Sequence, residues 1–436
     1  SLHDALPIWC VDFARERGLA CRRDGHDNVV IVKEAAPGYE AAPTLILQGH
    51  LDMVCEKVPG CEKDMAKEGL DLRCDENWVW AEGTTLGGDD GIAVAMALAI
   101  LDDDSLPHPR LEVLITADEE NGMLGAEGLD ASDLRGRQLL NLDSESEGVF
   151  TVGCAGGNRT HCVLPLRRET YEGGVWRLTV SGLRGGHSGE CIGLGRGNAS
   201  VLLGRALGEV ARHTELRLIL AQGGLKDNAI PSQAEAEIAV PAGTELSDIA
   251  AAFEAQLRHE YRAADPDVTV TVTHCEPSFL PMDEASTARC LCLLTCAPNG
   301  IQEMSQDVPG LPQTSLNLGI LTTAEDAMEA SFCLRSSVAS QKEMIRRRLD
   351  SLTTALGGHT EVSGDYPAWE YRADSALRDR MVAVYRDQYG AEPRIEVIHA
   401  GLECGLLSGK LPGLDCVSIG PDLEDIHTPR ERMSIP

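Results

Sequence analysis

Five short segments carry the side chains that could do chemistry. They are Gly49-His50-Leu51-Asp52, Gly87-Gly88-Asp89-Asp90-Gly91, Asp118-Glu119-Glu120, Asn141-Leu142-Asp143-Ser144-Glu145 and Asp425-Ile426-His427-Thr428-Pro429. Imidazoles mixed with carboxylates are what a hydrolytic pair of divalent ions needs, the ions sitting ~3.5–4 Å apart and sharing a carboxylate and a hydroxide. Such donors suit Zn, Mn or Co and require no thiolate. One segment alone carries little weight, because acidic pairs are usually solvated faces. Asp102–Asp104 reads that way, as a helix end followed by a turn. The joint occurrence is what points to a site, each segment ending an apolar strand or opening the loop after it.

A frame is needed to bring these segments together. Thr44–Gln48, Leu111–Thr116 and Gln138–Leu142 read as strands, and Gly91–Leu101 as a helix that is apolar almost all round and hence buried. Helix Ser375–Tyr389 and strand Asp415–Ile419 repeat the pattern near the C-terminus. This alternation predicts an α/β domain with a mostly parallel sheet and helices on both faces. In open sheets of that kind, sites form where the carboxyl ends of strands converge.

The middle of the chain differs in character. Strand Trp176–Ser181 and helix Ala199–His213 precede two stretches, Asn228–Glu276 and Thr314–Tyr366, that each read strand, strand, helix, strand. The expected organisation is a discontinuous catalytic domain over 1–160 and 368–436, truncated at both ends. An α+β lid and substrate-binding domain over 161–367, made of two similar halves, is inserted into it.

Length and composition bound the function. A chain of 436 residues is too long for one ordinary domain. Its 38 basic and 69 acidic residues give a net charge of -31, which argues against nucleic acid or an anionic membrane surface as partner. The longest apolar run, Ile92–Leu101, is too short to span a bilayer, and no signal peptide is visible. The 15 cysteines are scattered without zinc-finger spacing, and read as reduced thiols in a cytoplasmic protein.

Motifs along nearly the whole chain resemble those of the M20 family of metallopeptidases. They include QGHLDMV (48–54), TTLGGDDGIAVAMALAI (84–100), TADEENGMLGAEGL (116–129), LNLDSE (140–145), GLRGGHSGE (182–190), DNAIP (227–231), TSLNLG (314–319), LRSS (334–337), HAGLECG (399–405) and IHTP (426–429). Within the family they are most similar to the aminoacyl-histidine, or cytosol non-specific, dipeptidase branch. The resemblance implies two divalent ions, Zn2+ with Mn2+ or Co2+ as alternatives. Asp89 would bridge them, with His50 and Asp143 completing one site and Glu120 and His427 the other. Glu119 would be the general base acting on a bridging hydroxide, and Asp52 would orient the His50 imidazole. His187 would donate to the oxyanion, Asn228 and Arg335 would hold the substrate, Arg335 by its terminal carboxylate, and Glu403 would stand at the pocket rim. The family usually has Asn where this chain has Asp90, which adds an acid beside the metals.

The activity so implied is hydrolysis of small peptides, Xaa-His and other dipeptides. An N-acyl amino acid deacylase or desuccinylase of the same family would share every ligand, but the long two-part lid and HAGLECG favour the dipeptidase. A non-catalytic binding protein on this fold would be expected to lack Glu119 or a ligand, and this chain lacks none. With two lid halves, one chain is expected to assemble a complete site by itself. A homodimer is compatible with this and not required.

Overall fold

Short apolar runs cut by turns become the strands of two large sheets in the computed structural model, which describes residues 2–435. The first stretch of chain runs α1 (Leu2–Glu16), β1 (Ala20–Arg23), β2 (Val29–Lys33), β3 (Leu45–His50), β4 (Leu72–Cys74), β5 (Trp78–Ala81), α2 (Gly88–Asp102), β6 (Leu111–Thr116), α3 (Leu124–Gly128), β7 (Gln138–Asn141) and β8 (Val149–Cys154). The middle runs β9 (Gly156–Pro165), β10 (Gly174–Ser181), β11 (Gly186–His187), α4 (Ala199–His213), β12 (Arg217–Gly223), β13 (Ala229–Ile230), β14 (Ala234–Val240), α5 (Ser247–Glu260), β15 (Thr269–His274), α6 (Glu284–Cys296), β16 (Gly300–Met304), β17 (Pro312–Thr323), β18 (Ala327–Ser336), α7 (Ala339–Ala355) and β19 (His359–Tyr366). The last stretch runs α8 (Ala376–Tyr389), β20 (Arg394–Ile398), α9 (Glu403–Lys410), β21 (Asp415–Ser418), β22 (Leu423–Glu424) and β23 (Arg432–Ser434).

Two compact units emerge. The first takes the chain up to Cys154, then Trp369–Ile398 and from Leu402 on; the second takes Ala155–Ala368 and His399–Gly401. Strand β9 lies wholly in the second unit and crosses position 160/161, where the sequence reading put the boundary.

The first unit is built on an eight-stranded sheet of order β1-β2-β6-β3-β7-β21-β8-β20. Its centre is parallel: β3 pairs with β6 and β7, and β7 with β21. Its flanks are mixed: the outermost strand β20 pairs with β8 in parallel, and the remaining flank pairs are antiparallel. The short turn between β1 and β2 forces an antiparallel pair, β2 returns antiparallel on β6, and β21 meets β8 antiparallel. Side chains alternate between two cores. Val29, Ile31, Leu47, Val113 and Ile115 pack with α1 and α2, whereas Val30, Ile46 and Leu114 pack with α9. Burying one such side chain contributes about 1.5–3 kcal/mol. A separate four-stranded sheet, β22-β23-β5-β4, completes this unit.

The second unit is one sheet of order β15-β10-β14-β12-β17-β18-β9-β19, with β16 added on β17. It divides into two halves of one design. The first, β10-α4-β12-β14-α5-β15, has spatial order β15-β10-β14-β12; the second, β9-α6-β17-β18-α7-β19, has order β19-β9-β18-β17. Each is a βαββαβ unit of ferredoxin-like topology. The halves are therefore larger than the two stretches expected from sequence, since each also owns an earlier strand and helix. They join edge to edge, β12 meeting β17 at Gly223 and Leu321. One face of the sheet, carrying Leu178, Val180, Leu316, Phe332 and Leu334, packs under all four helices. The other face carries the alternate residues of β18, Glu329, Ser331, Cys333 and Arg335. No helix among the described residues is long and apolar enough to cross a membrane.

Candidate functional site

The parallel centre of the first sheet brings three ligand segments to one edge. His50 ends β3, Glu119 and Glu120 follow β6, and Asp143 follows β7. The other two arrive differently from the strand-end expectation. Asp89 sits in the first turn of α2, and His427 lies in the connection from β22 to β23. A tight approach of α2 to β3 makes this work: a side chain at Gly49 would overlap Ala93 and the Asp90 carboxylate. Asp118, Asp425 and His427 hold left-handed backbone, with φ of 54°, 53° and 59°, a cost typical of functional loops.

Asp89 stands between the two imidazoles. Its Oδ1 lies 3.0 Å from His50 Nε2 and its Oδ2 lies 3.2 Å from His427 Nε2. Asp143 Oδ1 is 3.6 Å from His50 Nε2, and Glu120 Oε1 is 3.0 Å from His427 Nε2. One carboxylate shared by two imidazoles, each with a further carboxylate, is the donor set of a two-ion site. Ligand atoms of His50, Asp89 and Glu120 lie within 4.8 Å of one another, as do those of His50, Asp90 and Asp143. Glu120 Oε1 is buried, with the His427 imidazole as its polar neighbour, and is placed to share a cation with it. The residues present therefore fit two divalent ions.

The surroundings hold these groups in place. Asp52 accepts the backbone N–H of Glu119 and of Glu120, both at 3.0 Å. Its carboxylate is 3.6 Å from His50 Nδ1, while its backbone carbonyl is nearer, at 3.0 Å. Glu431, which the sequence reading missed, accepts N–H groups from Leu86, Gly87 and Gly88 at 2.7–3.0 Å and from Asp89 at 3.4 Å. Gly87 permits that loop, with φ of 67° and Met53 against its α-carbon. The only sequence signal for Glu431 is an acid four residues after His427.

Crowded acids without cations hold protons. Burial pushes Glu119 up to about 9, reinforced by Asp143 and Glu403. Burial also pushes Asp143 up to about 6 and Asp90 well above the usual carboxylate range. Hydrogen bonds donated to the Asp89 and Glu120 carboxylates raise His427 to about 10. Burial opposes charge on His50, but hydrogen bonds to Asp143, Asp52 and Asp89 outweigh it and raise its pKa. Burial likewise works against the Asp89 carboxylate, which the two imidazoles hold well below its ordinary range. Divalent cations would replace these protons.

Glu403 corrects an expectation. It is not at a rim: it is fully buried at the start of α9, in the first unit. Its Oε2 accepts from Gln48 Nε2 at 2.5 Å and Thr116 Oγ1 at 2.6 Å. Burial raises it to about 7. Gln48 continues to Asn141, whose Nδ2 donates to its Oε1 at 2.6 Å, so a buried polar chain ties β3, β6 and β7 together below the ligands. Polar residues inside otherwise apolar strand runs are the sequence signal for this chain.

The second unit gathers the remaining residues. His187 on β11 pairs with Ala229 on β13, directly after Asn228, and Ser188 N–H donates to the Asn228 carbonyl at 2.8 Å. Arg335 Nη2 is 3.4 Å from His187 Nε2. His399, unassigned by sequence, lies with them, its Nε2 2.7 Å from Ser315 Oγ. Burial, then the Arg335 charge, lowers His187.

The comparisons with known proteins agree with this geometry. The sequence matches peptidase family M20/M25/M40 over residues 46–436. It is 38 % identical to the cytosol non-specific dipeptidase of Escherichia coli (strain K12), across 99 % of this chain and 90 % of that protein. The crystal structure of aminoacylhistidine dipeptidase from Vibrio alginolyticus superposes with a TM-score of 0.91 at 38 % identity, covering 98 % of this chain and 88 % of that one. Aminopeptidase PepT from Bacillus cereus, at 16 % identity and a TM-score of 0.51 over 97 % of this chain and 86 % of that one, shares the fold. With a shared carboxylate between two imidazoles and a family match over most of its length, the chain belongs to the M20 family of metallopeptidases.

Proposed function

We propose that this peptidase hydrolyses dipeptides, Xaa-His and others of broad sequence, with two divalent ions, Zn2+ by preference. The observation that carries the reading is Asp89, with one carboxylate oxygen toward His50 and the other toward His427. The likeness to two proteins named as dipeptidases supports the substrate class.

When bound, the ions polarise the scissile carbonyl and acidify a shared water. Asp89 would serve both ions, with His50 and Asp143 holding one and Glu120 and His427 the other. Asp52 holds the backbone of both glutamates, and Glu119, which is in neither group of candidate ligands, would take the water proton. It then passes that proton to the leaving amine. In the second unit His187 is the donor to the oxyanion, and Asn228 and Arg335 hold the substrate. The free thiols fit a cytoplasmic setting.

The test is a panel of dipeptides against N-acetylated and N-succinylated amino acids, using metal-free protein reloaded with Zn2+, Mn2+ or Co2+. Faster hydrolysis of dipeptides is expected. Preference for the acylated amino acids would replace this reading with the deacylase or desuccinylase.

A further inference from the structure

The loop that carries His187 is built from residues that do little to hold it. From Arg184 to Gly197 it reads RGGHSGECIGLGRG, and glycine loses more conformational freedom on ordering than any other residue. Gly185 and Gly186, directly before His187, hold φ of 63° and 131°. Among the described residues, strand pairing within the loop is limited to the short β11–β13 bridge.

An acid from a distant part of the chain closes this loop at its neck. Asp265, just beyond α5, is 1 % exposed. Its Oδ1 accepts the backbone N–H of Arg184 at 2.7 Å, and its Oδ2 accepts that of Gly197 at 2.7 Å. These are the first and last residues of the loop, so one carboxylate fixes its two ends against each other. Bonds from N–H groups to a carboxylate are roughly twice as strong as neutral ones. Asp265 is itself seated: its N–H donates to the Tyr261 carbonyl at 2.8 Å, and its carbonyl accepts from Val268 N–H at 3.3 Å. The exit of the loop has a second anchor in Asn198, which caps α4 and donates to the Leu318 carbonyl at 2.9 Å. The entry, which runs straight into His187, rests on Asp265.

We propose that Asp265 is a positioning residue for His187: its carboxylate, tied across the neck of the loop, sets where the imidazole stands. The proposal rests on the reading of His187 as oxyanion donor and adds what aims it. Such a donor works only where its N–H meets the charge that develops in the transition state. Misplacing a group by about 1 Å can cost about 10²-fold in rate.

The experiment measures kcat, KM and metal content for Asp265→Ala, Asp265→Asn, His187→Ala and the double variant His187→Ala/Asp265→Ala. The substrate is whichever compound of the panel above is hydrolysed fastest. Asp265→Ala should lower kcat by about 10- to 100-fold and change KM less than about threefold, because the interaction lost is made in the transition state. Asp265→Asn keeps one accepting oxygen and should recover part of the loss. With His187 already replaced, removing Asp265 should cost nothing further, since both act through one imidazole. Additive losses would overturn the proposal, as would a loss confined to KM or a fall in metal content. Circular dichroism checks folding, and Asp265→Asn serves if Asp265→Ala does not fold.

Hydrogen exchange on metal-free protein gives a readout independent of turnover. Amides of 184–197 should exchange faster in Asp265→Ala, while those of β14 keep their wild-type rates. Unchanged exchange in the loop would refute the tie even if peptides are cleaved. Wild-type turnover in His187→Ala would remove the oxyanion reading, and the positioning role with it. Faster loop exchange in Asp265→Ala beside that result would show that the reading of His187 failed and not the tie.

Discussion

The Asp52 carboxylate accepts the backbone N–H of Glu119 at 3.0 Å, so Asp52 aims the segment carrying the proposed base as well as flanking a proposed ligand. Glu119→Gln should therefore keep both metals and the fold while losing about 10²–10⁴-fold in kcat, since only the proton carrier is removed. Metal analysis and steady-state kinetics on one sample decide it. Near-wild-type turnover with metals bound would move the base elsewhere.

Asp89 and His427 should part company on metal content. Asp89→Ala is expected to cost both ions, because each imidazole faces one of its oxygens. His427→Ala should weaken one ion and spare the other. Two-metal occupancy in purified Asp89→Ala would sink the bridging role.

Metal loading should release protons at pH 7. Glu119, raised from 4.5 to about 9, is protonated in the metal-free fold and ionises beside cations. The sign for stability follows from linkage: the folded state keeps a proton that the unfolded state loses above 4.5. This contribution is present at low pH and lost as pH rises through about 9. Metal-free protein should lose thermal stability toward pH 9, and Glu119→Gln should flatten that slope. Titrations in buffers of different ionisation enthalpy should count about one fewer proton for the variant.

His399 should act in the opposite direction. Its pKa falls from 6.5 to about 4 on folding, so the unfolded state binds the proton more readily. The contribution is full above 6.5 and lost as pH falls toward about 4. His399→Asn should therefore soften the acid-side fall in melting temperature within that window. An unchanged acid limb would show that the imidazole is not buried neutral.

Glu431→Ala should loosen the loop that presents Asp89. Removing an acceptor of several backbone N–H groups leaves buried donors unpaired, at a cost of about 2–4 kcal/mol. Weaker retention of both ions is expected with it, read by chelator competition. Loss of stability with unaltered ion retention would confine Glu431 to the fold.

What is legible in the sequence follows the range of the interaction. His50, Asp143 and the Glu119–Glu120 pair each directly follow an apolar run, and local periodicity places them. Glu431 is invisible by that route, because its role is to accept N–H groups that lie up to 345 residues away along the chain. The buried seat of Glu403 is hidden for the same reason, being made with Gln48 and Thr116. The antiparallel pairs on either side of the first sheet's parallel centre escape too, since a strand's own residues do not state its neighbour's direction. In the second unit the element order is readable, but strand β9 is cut off from its partners by the whole intervening half, so its membership is not.

That nesting has a consequence for how the chain finds its fold. The inner half, β10 to β15, closes on neighbours from a single continuous stretch. The outer half waits for β9 to meet β18, with His161 opposite Ser331, 170 positions later. Closing so large a loop costs entropy before any contact is gained, and high contact order slows folding. Along the seam, the described strand register joins the halves at one position, Gly223 with Leu321. The inner half should behave as an early, separable foldon. In pulse-labelled hydrogen exchange during refolding, amides of β10 and β14 should gain protection before those of β9 and β18. Simultaneous protection would mean that the two halves fold as one cooperative unit.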